Sequence, residues 1–375
     1  MPEVAVLSKL RFLALALALT ACSTAPSAAS AQALAGRLIG PCGSALGFGN
    51  LKWSRDGARI AFDEYVGGDV QVAVMDASGD HLQQLTNLPG FNGLGGWTPA
   101  SGAAGDAGRI IFMSNRDGPY HIYLMGADGR SPARLTTGSD ASVPSVSPDG
   151  TQIVFSSFYL PRRGAIYRLD LDGAKLTRLS EPESDDYLPA WSPDGRRIAY
   201  IAIRGGLPQL YVMDRDGVDP HPVGDLTASN NPPVWSPDGR WIAFLSSRMA
   251  GGALTTSLDV AASDGSAERQ LALTPADTLF YWPSWSPDSR HMAFVTSGTA
   301  GEDISLIAPD GSGQAALTTT PGSDYSPAWS PDGRSIAFVS ARDGAPEIYR
   351  MDADGSHPAR LTTNPANQKC LRWPF

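Results

Sequence analysis

The side chains best suited to chemistry or binding in this sequence stand a few residues ahead of a tryptophan that recurs along the chain. Carboxylates among them are able to act as general acids and bases, and their aromatic neighbours are of the kinds that anchor a protein partner. A second interpretation assigns the Tyr and Asp residues to the repeat itself, where they would bond backbone groups between its copies. The candidate partner-binding residues are Asp185, Asp186, Tyr187, Asn230, Asn231, Phe280, Tyr281, Trp282, Asp324 and Tyr325.

Other catalytic signatures are missing from the sequence. It contains no Gly-x-Ser-x-Gly nucleophile motif. Asp-Gly pairs such as Asp172-Gly173 recur in most copies of the repeat. Carboxylates in tight loops are able to bind calcium, but turn stereochemistry already explains these pairs. The histidines lie in different copies, so we expect them not to converge on one metal ion. They are His81, His121, His221, His291 and His357. The sequence therefore predicts no catalytic residue, no metal site and no cofactor.

The recurring tryptophan opens the motif Trp-Ser-Pro-Asp-Gly, which a polar pair and then Ile-Ala-Phe or a close variant follow. Copies start at Trp53, Trp97, Val146, Trp191, Trp235, Trp285 and Trp329, with successive spacings of 44, 49, 45, 44, 50 and 44 residues. A repeat of this length with four short strand patterns is typical of β-propeller blades. The sequence therefore predicts an all-β fold, a β-propeller of four-stranded antiparallel blades, with seven blades favoured over six or eight.

Turn and strand chemistry support the four-stranded blade. In the turn 192–195, proline presets φ at the second position and glycine accepts a positive φ where the hairpin closes. In the strand that follows, Ile198 and Tyr200 face one side and Ala199 faces the other, because side chains alternate along a strand. Since both faces are apolar, we expect neighbouring blades to cover each blade on both sides.

The motifs Pro-Ala-Trp-Ser-Pro-Asp-Gly, Ile-Ala-Phe, Ile-Tyr-x-Met-Asp-x-Asp-Gly and Arg-Leu-Thr resemble the propeller repeats of the TolB family over about residues 47–375. Similar repeats occur in the propellers of dipeptidyl-peptidase-like hydrolases and of oligogalacturonate lyases, so the resemblance implies an architecture more than an activity. We expect two departures from TolB, namely that the chain lacks the separate N-terminal α/β domain and that it carries a lipid. We also expect no α/β-hydrolase domain beside the propeller, and so no peptidase activity.

The first residues have the pattern of a signal peptide, because Lys9 and Arg11 precede the apolar stretch 12–19. A transmembrane anchor is the alternative, but the stretch is too short to cross a bilayer as a helix. The motif Leu-Thr-Ala-Cys, which ends at Cys22, is similar to a bacterial lipobox. We therefore expect lipid attachment at Cys22, with cleavage nearby and an unmodified cysteine as the alternative.

The chain divides into three predicted segments. Residues 1–21 form the lipoprotein signal peptide, 22–36 a flexible tether rich in Ser, Ala and Pro, and 37–375 a single propeller. Ser23 stands where an Asp would retain enterobacterial lipoproteins in the inner membrane. We therefore expect a protein exported to the periplasmic side of the outer membrane and held there by its lipid.

The charge balance bears on the partner. Lys and Arg number 29 against 38 Asp and Glu, a formal net charge of -9, and no basic run exceeds two residues. Because nucleic acid binding needs clustered cationic side chains, we expect no nucleic acid partner. We expect a non-enzymatic scaffold that binds an envelope protein or peptide. The alternative is a propeller enzyme that cleaves a glycan or polysaccharide through carboxylates such as Asp186 and Asp324.

Cys42 and Cys370 lie at opposite ends of the predicted propeller, and a closed ring brings such ends together. Because disulfides persist outside the cytoplasm, we expect the two cysteines to be bonded, with two unpaired thiols as the alternative. Propellers usually close by completing one blade with strands from both termini. Residues 37–39 or 51–53 are the N-terminal candidates for that clasp, and residues 370–373 are the C-terminal candidate.

The three cysteines allow a direct test of these expectations. In mature protein that is unfolded without reductant, thiol titration should find no free thiol, because the lipid occupies the sulfur of Cys22 and the other two sulfurs are bonded. Reduction should then release two thiols. Two free thiols before reduction would contradict the disulfide, and a third would contradict the lipid.

Overall fold

The computed structural model describes residues 48–100, 108–138, 140–159, 163–172, 175–228, 231–250, 253–274, 283–297 and 301–363. Across these residues the chain forms seven four-stranded antiparallel sheets, and no α-helix occurs in them. A search of the same residues finds no helix with the length and apolar character needed to cross a membrane. The predicted signal peptide, the tether, Cys22, Cys42 and Cys370 lie outside the described residues.

The four strands of each sheet follow one another in the sequence, so each sheet is one blade. Blades 1 and 2 contain β1 (Phe48–Trp53), β2 (Arg59–Val66), β3 (Asp69–Asp76), β4 (Gln83–Gln84), β5 (Asn92–Trp97), β6 (Arg109–Ser114), β7 (His121–Gly126) and β8 (Ala133–Arg134). Blades 3 and 4 contain β9 (Asp140–Val146), β10 (Gln152–Tyr159), β11 (Arg163–Asp170), β12 (Leu176–Arg178), β13 (Asp186–Trp191), β14 (Arg197–Arg204), β15 (Leu207–Asp214) and β16 (His221–Thr227).

Blades 5, 6 and 7 repeat this arrangement. They contain β17 (Val234–Trp235), β18 (Trp241–Ala250), β19 (Ala253–Ala262), β20 (Glu268–Thr274), β21 (Ser284–Trp285), β22 (Met292–Ser297), β23 (Glu302–Ile307), β24 (Ala315–Ala316), β25 (Asp324–Trp329), β26 (Ser335–Ser340), β27 (Glu347–Asp352) and β28 (Ala359–Arg360). The first strands of neighbouring blades contact one another, and β1 also contacts β25 and β26 of blade 7. The first strands are therefore innermost, and the ring is closed, which confirms the prediction of a seven-bladed propeller.

The core lies between blades rather than inside any one of them. On β2, Ile60, Ala61 and Phe62 are all fully buried although their side chains alternate between faces. One core cluster joins Ile201 and Val212 of blade 4 to Phe244 and Ala261 of blade 5. Neighbouring blades thus cover both faces of a sheet, as the sequence pattern predicts.

The Trp-Ser-Pro-Asp-Gly turns hold themselves together. In blade 7 the Ser330 hydroxyl donates to Asp332 Oδ1 at 2.6 Å, and the same carboxylate accepts from the backbone N–H of Arg334 at 3.1 Å. Ser330 also accepts from the backbone N–H of Ser335 at 3.0 Å. These bonds to the ionised carboxylate lower the pKa of Asp332. The motif therefore sets up the hairpin between the first and second strands without help from other blades.

The glycine turns between third and fourth strands, which contain Ser-Gly in blade 1 and Asp-Gly in the other blades, serve packing between blades. Gly79 of blade 1 has φ +92° and lies so close to blade 7 that a Cβ would stand 2.8 Å from the carbonyl oxygen of Leu361. Gly355 of blade 7 has the same relation to Leu317 of blade 6. Only glycine fits both the backbone conformation and the close approach. Turn geometry and packing therefore account for these glycines.

At four of the seven seams the recurring tryptophan ties a blade to the one before it. Its indole N–H donates to a backbone carbonyl oxygen on the first strand of the preceding blade. The acceptor is the next-to-last residue of that strand. The bonds are Trp97 to Lys52 at 3.0 Å, Trp235 to Ala190 at 3.1 Å, Trp285 to Val234 at 3.1 Å and, across the closing seam, Trp53 to Ala328 at 3.0 Å. The seam between blades 7 and 1 therefore uses the same bond as three other seams.

Two seams replace this bond by another. The next-to-last residue of the first strand is a serine in blades 3 and 6. The hydroxyl of Ser145 accepts from the backbone N–H of Trp191, and that of Ser284 accepts from the backbone N–H of Trp329, both at 3.1 Å. The indole nitrogens of these two tryptophans are buried and have no hydrogen-bond partner. A serine hydroxyl at this position thus takes over the inter-blade bond.

The expected clasp does not use residues 51–53. They belong to β1, which pairs with β2 of its own blade, and blade 7 takes all four of its strands from residues 324–360. Side-chain and backbone contacts across the seam, such as the bond from Arg350 to the carbonyl of Ala77 at 2.9 Å, join the two blades instead. The other clasp candidates, 37–39 and 370–373, lie outside the described residues.

Replacement of the closing tryptophan should destabilise the ring. Trp53→Phe removes the indole bond to Ala328 and should lower the free energy of unfolding by about 1 kcal/mol more than Trp329→Phe, whose indole makes no such bond. Urea denaturation of both variants measures the difference. Equal losses would show that the bond adds nothing to ring closure beyond the packing of the ring.

Candidate functional site

The starts of the first strands and the hairpins between second and third strands lie at the same end of each blade. Asp186, at the start of β13, pairs with Ala202 near the end of β14, two residues before the hairpin 204–207. We call this end the hairpin face. The end that carries the Trp-Ser-Pro-Asp-Gly and Asp-Gly turns is the turn face.

Four of the candidate residues lie on the hairpin face in strands and not in exposed loops. Asp186 and Tyr187 begin β13, and Asp324 and Tyr325 begin β25. All four side chains are buried, as is Asn231, and Asp324 has no exposed surface. Asp185, just ahead of β13, is half-buried. Asn230, Phe280, Tyr281 and Trp282 lie outside the described residues.

In blade 7 an arginine clamps the buried carboxylate. Arg342 Nη2 lies 3.2 Å from Asp324 Oδ2, and its Nε donates to the hydroxyl of Ser340 at 2.8 Å. The guanidinium lies over the rings of Phe338 and Tyr349, 5.3 and 4.9 Å from their centroids. Stacking on aromatic rings and a charge-assisted bond fix this arginine in place.

Blades 2 and 4 contain the same arrangement, which we call the arginine clamp. In blade 4, Arg204 Nη1 lies 2.9 Å from Asp186 Oδ1 and its guanidinium lies over the ring of Tyr211. In blade 2, Arg116 Nη2 donates to the side-chain oxygen of Asn92 at 2.9 Å. Since an amide takes the place of the carboxylate in blade 2, the acceptor on the first strand does not have to be charged.

Asp185 connects two blades. Its Oδ1 accepts from the backbone N–H of Gly164, in blade 3, at 2.8 Å. Asp140 of blade 3 makes the same bond to Tyr120 of blade 2 at 2.8 Å. The contacts of Asp185, Asp186 and Asp324 therefore agree with the second interpretation above, in which the acidic residues bond groups of the repeat.

The sequence also carried a signal for the clamp that a search for acidic and aromatic residues misses. The hairpins of blades 2 and 7 both read Ser-x-Arg-Asp-Gly, at 114–118 and 340–344, and the arginine of each is the clamp residue. The aspartate that follows accepts the hydroxyl of Tyr123 or Tyr349. Burial and these bonds raise the pKa of both tyrosines to about 12.

Exposed apolar side chains occupy the tips of two hairpins on this face. Leu207 follows the two-glycine turn of blade 4 and pairs across it with Arg204. Its side chain is 56% exposed, and Val66 at the equivalent tip of blade 1 is 38% exposed. The arginine side chain is itself 34% exposed, so the clamp shows part of its guanidinium to solvent beside an apolar side chain.

The histidines lie in separate blades. His81 and His357 are exposed on the turn face, where bonds of 2.6 and 2.8 Å to Asp76 and Asp352 raise the pKa of each imidazole. His121 is buried on β7, and burial lowers its pKa. Throughout the part of the chain that the structure describes, no three His, Cys, Asp or Glu side chains gather as a metal site would require.

Comparison with known protein families matches the model described as the TolB beta propeller domain to residues 48–159, 141–279 and 266–373. A protein homologous to TolB from Chlorobium luteolum is 33% identical over 146 residues, 28% of this chain and 34% of the relative. An uncharacterized protein of Agrobacterium fabrum is 30% identical over 154 residues, 40% of this chain and 49% of the relative. The chain therefore spans about half or less of the length of these curated relatives.

Solved structures share the fold at lower identity. An oligogalacturonate lyase in complex with manganese superposes with a TM-score of 0.63 at 16% identity, covering 84% of this chain and 90% of that one. A puromycin hydrolase gives a TM-score of 0.64 at 16% identity, covering 88% of this chain and 56% of that one. At such identity the likeness concerns the propeller fold alone.

Removal of a clamped carboxylate should destabilise the protein. Asp324→Ala leaves the mostly buried Arg342 without its counter-ion, and we expect a loss of about 3 kcal/mol in the free energy of unfolding. Arg334→Ala, which breaks only the exposed contact with Asp332 at 4.0 Å, should cost less than about 0.5 kcal/mol. Thermal or urea denaturation measures the stability of both variants. If Asp324→Ala is as stable as the wild type, the clamp has no structural role.

Proposed function

Because the chain belongs to the TolB β-propeller family, we propose that it is a scaffold of the bacterial cell envelope that binds a protein or peptide on its hairpin face. The family match supports the proposal through the fold, which offers one end of a rigid ring as a binding surface. The signal-peptide pattern, the lipobox-like motif at Cys22 and the TolB homologues among its relatives support a periplasmic position. In this proposal the lipid on Cys22 tethers the propeller to the outer membrane.

The observation that carries the binding proposal is the exposed Leu207 beside the clamped Arg204. Arginine and aromatic side chains dominate the energy of protein interfaces, and exposed apolar groups add buried area. Arg204 is already held by Asp186 and stacked on Tyr211, so a partner would not have to order it. In this proposal the buried Asp186 and Tyr187 position this surface and do not contact the partner.

A second candidate is a propeller enzyme that acts on a glycan, since an oligogalacturonate lyase has this fold. Asp186 and Asp324 would be its catalytic carboxylates, but each is buried and paired with an arginine. Asp186→Asn tests this candidate cleanly, because Asn92 fills the same place in the clamp of blade 2. Turnover of a glycan or peptide in a substrate screen that this variant abolishes would favour the enzyme.

Binding on the hairpin face predicts which surface substitutions matter. Leu207→Asp together with Val66→Asp should abolish the capture of partners when the lipidated protein is crosslinked in native envelope membranes and the products are read by mass spectrometry. The matched control is Leu82→Asp together with Val218→Asp, because these side chains are 46% and 56% exposed on the turn face. The control should capture the same proteins as the wild type.

All four substitutions replace exposed side chains, so both double variants should keep the wild-type melting temperature. Loss of the same partner from both variants, or from neither, would contradict the proposed face. Asp186→Ala and Asp324→Ala do not suit this experiment, because the clamp makes them tests of stability.

A further inference from the structure

Blade 1 departs from the repeat at the residue just before its tryptophan, which is Lys52. In the other six blades this position of the first strand holds a small or medium neutral residue, and each is buried or half-buried. These residues are Gly96, Ser145, Ala190, Val234, Ser284 and Ala328. Lys52 is exposed, and it is one of only four lysines in the chain. A single ammonium thus stands at a position that is neutral in the other six blades.

Blade 1 departs a second time on β2, where Asp63 occupies a position that is apolar in five other blades and a serine in blade 3. The equivalent residues are Met113, Ser156, Ile201, Leu245, Val295 and Val339. Asp63 is almost fully buried. A carboxyl group in a place built for an aliphatic side chain costs stability unless something compensates it, and such costs are typical of functional positions.

The two departures share one seam. Lys52 pairs with Ala61 on β2, and Asp63 lies two residues further along on the same face of the strand. Asp63 Oδ1 accepts from the backbone N–H of Leu94 on β5 at 2.6 Å, and the carbonyl of Lys52 accepts from Trp97 at 3.0 Å. Both side chains therefore lie between the innermost strands of blades 1 and 2, beside the axis of the ring.

Burial shifts the pKa of both groups. Lys52 is exposed along its side chain, but the surrounding protein still desolvates its ammonium and lowers its pKa, against the attraction of Asp63. Burial raises the pKa of Asp63 to about 7, although the bonds from Leu94 and Asn50 and the charge of Lys52 oppose this.

Asn50 completes the cluster. Its side-chain nitrogen donates to the carbonyl oxygen of Leu94, and its side chain also bonds to Asp63. Its side-chain oxygen Oδ1 is buried and has no hydrogen-bond partner. A protonated Asp63 carries an O–H, the kind of donor that this oxygen lacks. The polar groups of the seam therefore accommodate a neutral Asp63.

Among the residues that the structure describes, few other charged groups lie near Asp63. Tyr65, further along β2, has its pKa raised to about 12 by burial and by Asp63, so it stays neutral. Glu64 lies on the opposite face of β2, where burial and Glu347 of blade 7 raise its pKa. The innermost strand β5 carries no charged residue, and on β3 Asp69 and Asp76 stand at the strand ends. Lys52 is the described cation whose charge opposes the rise in the pKa of Asp63.

We propose that Lys52 and Asp63 form a proton-gated site that binds a carboxylate at the axis of the ring. Ionised Asp63 opposes the charge of Lys52 and repels an incoming anion. A proton on Asp63 removes both effects, so the ammonium of Lys52 pairs with the carboxylate of the ligand. Because linkage is reciprocal, a bound carboxylate in turn favours the protonated form of Asp63. The net acidic charge of the protein leaves this cation as a local point of attraction for an anion.

The affinity for a carboxylate should rise as the pH falls through about 7, the pKa of Asp63. The protonated fraction of Asp63 falls about tenfold from pH 6 to pH 8, so affinity should fall about tenfold over the same range. The probe is N-acetyl-alanyl-alanine, with its C-terminal amide as the uncharged control and glucuronate as a sugar carboxylate. Calorimetry at both pH values measures the affinity, and binding of the amide as tight as that of the acid would overturn the proposal.

Three variants separate the roles of the two residues. Lys52→Met keeps the length of the side chain and should abolish binding at both pH values. Asp63→Asn still accepts from Leu94 and resembles the protonated acid, so it should bind at pH 8 about as tightly as the wild type binds at pH 6. Lys175→Met removes the charge of an exposed lysine on the outer side of blade 3 and should change nothing.

Lysine NMR after reductive ¹³C-methylation gives a second readout. With at most four lysines in the chain, the signal of Lys52 is assigned by its loss in Lys52→Met, and the probe should shift it and leave Lys175 in place. Affinity that does not depend on pH in the wild type, or that survives Lys52→Met, would overturn the proposal. Preference for glucuronate over the peptide would assign the site to sugar acids, and the reverse to peptide carboxylates. Neither result depends on partner capture at the hairpin face.

Discussion

The hydrogen bonds that join the first strand of one blade to the first strand of the next carry the constraint on which the rest of this structure depends. A blade with two apolar faces has no stable form alone, so its stability comes from the two blades beside it. Stacked sheets are able to slide, and the apolar effect has no direction that would stop them. The indole bond fixes the register of blades at four seams and a serine hydroxyl does so at two others, and the bond from Trp53 to Ala328 closes the ring.

Because the first strands lie at the inner ends of blades packed on both sides, polar side chains there need partners. The arginine clamp meets that need in blades 2, 4 and 7, and Asp185 meets it by bonding to the neighbouring blade. Residues that resemble a catalytic or binding set in the sequence are thus engaged in the scaffold. What the repeat leaves for function on the described residues is the outer surface of its hairpins and the positions at which one blade differs from the others.

Blade 1 shows how such a difference arises. Lys52 and Asp63 each replace a residue that packing would favour, and both replacements lie on the face of blade 1 that packs against blade 2. Either change alone would leave a charge without an opposite charge beside it. Together the two residues form a pair whose net charge depends on the protonation of Asp63. A repeat protein is able to carry such a site because the other six blades supply the stability of the ring.

The sequence by itself determined the blade, its four strands, its two apolar faces and the number of blades, because period-two alternation and turn chemistry are local and the recurring tryptophan marks each copy. Tertiary structure alone decided what the candidate residues do. Asp186 and Asp324 belong to strands and not to loops because the second strand continues far enough to pair with them, and Arg342 reaches Asp324 only after the hairpin folds back. The seam of Lys52 and Asp63 is likewise defined by Leu94 and Trp97 of the next blade, since burial and charge pairing are properties of the assembled ring and not of any segment of it.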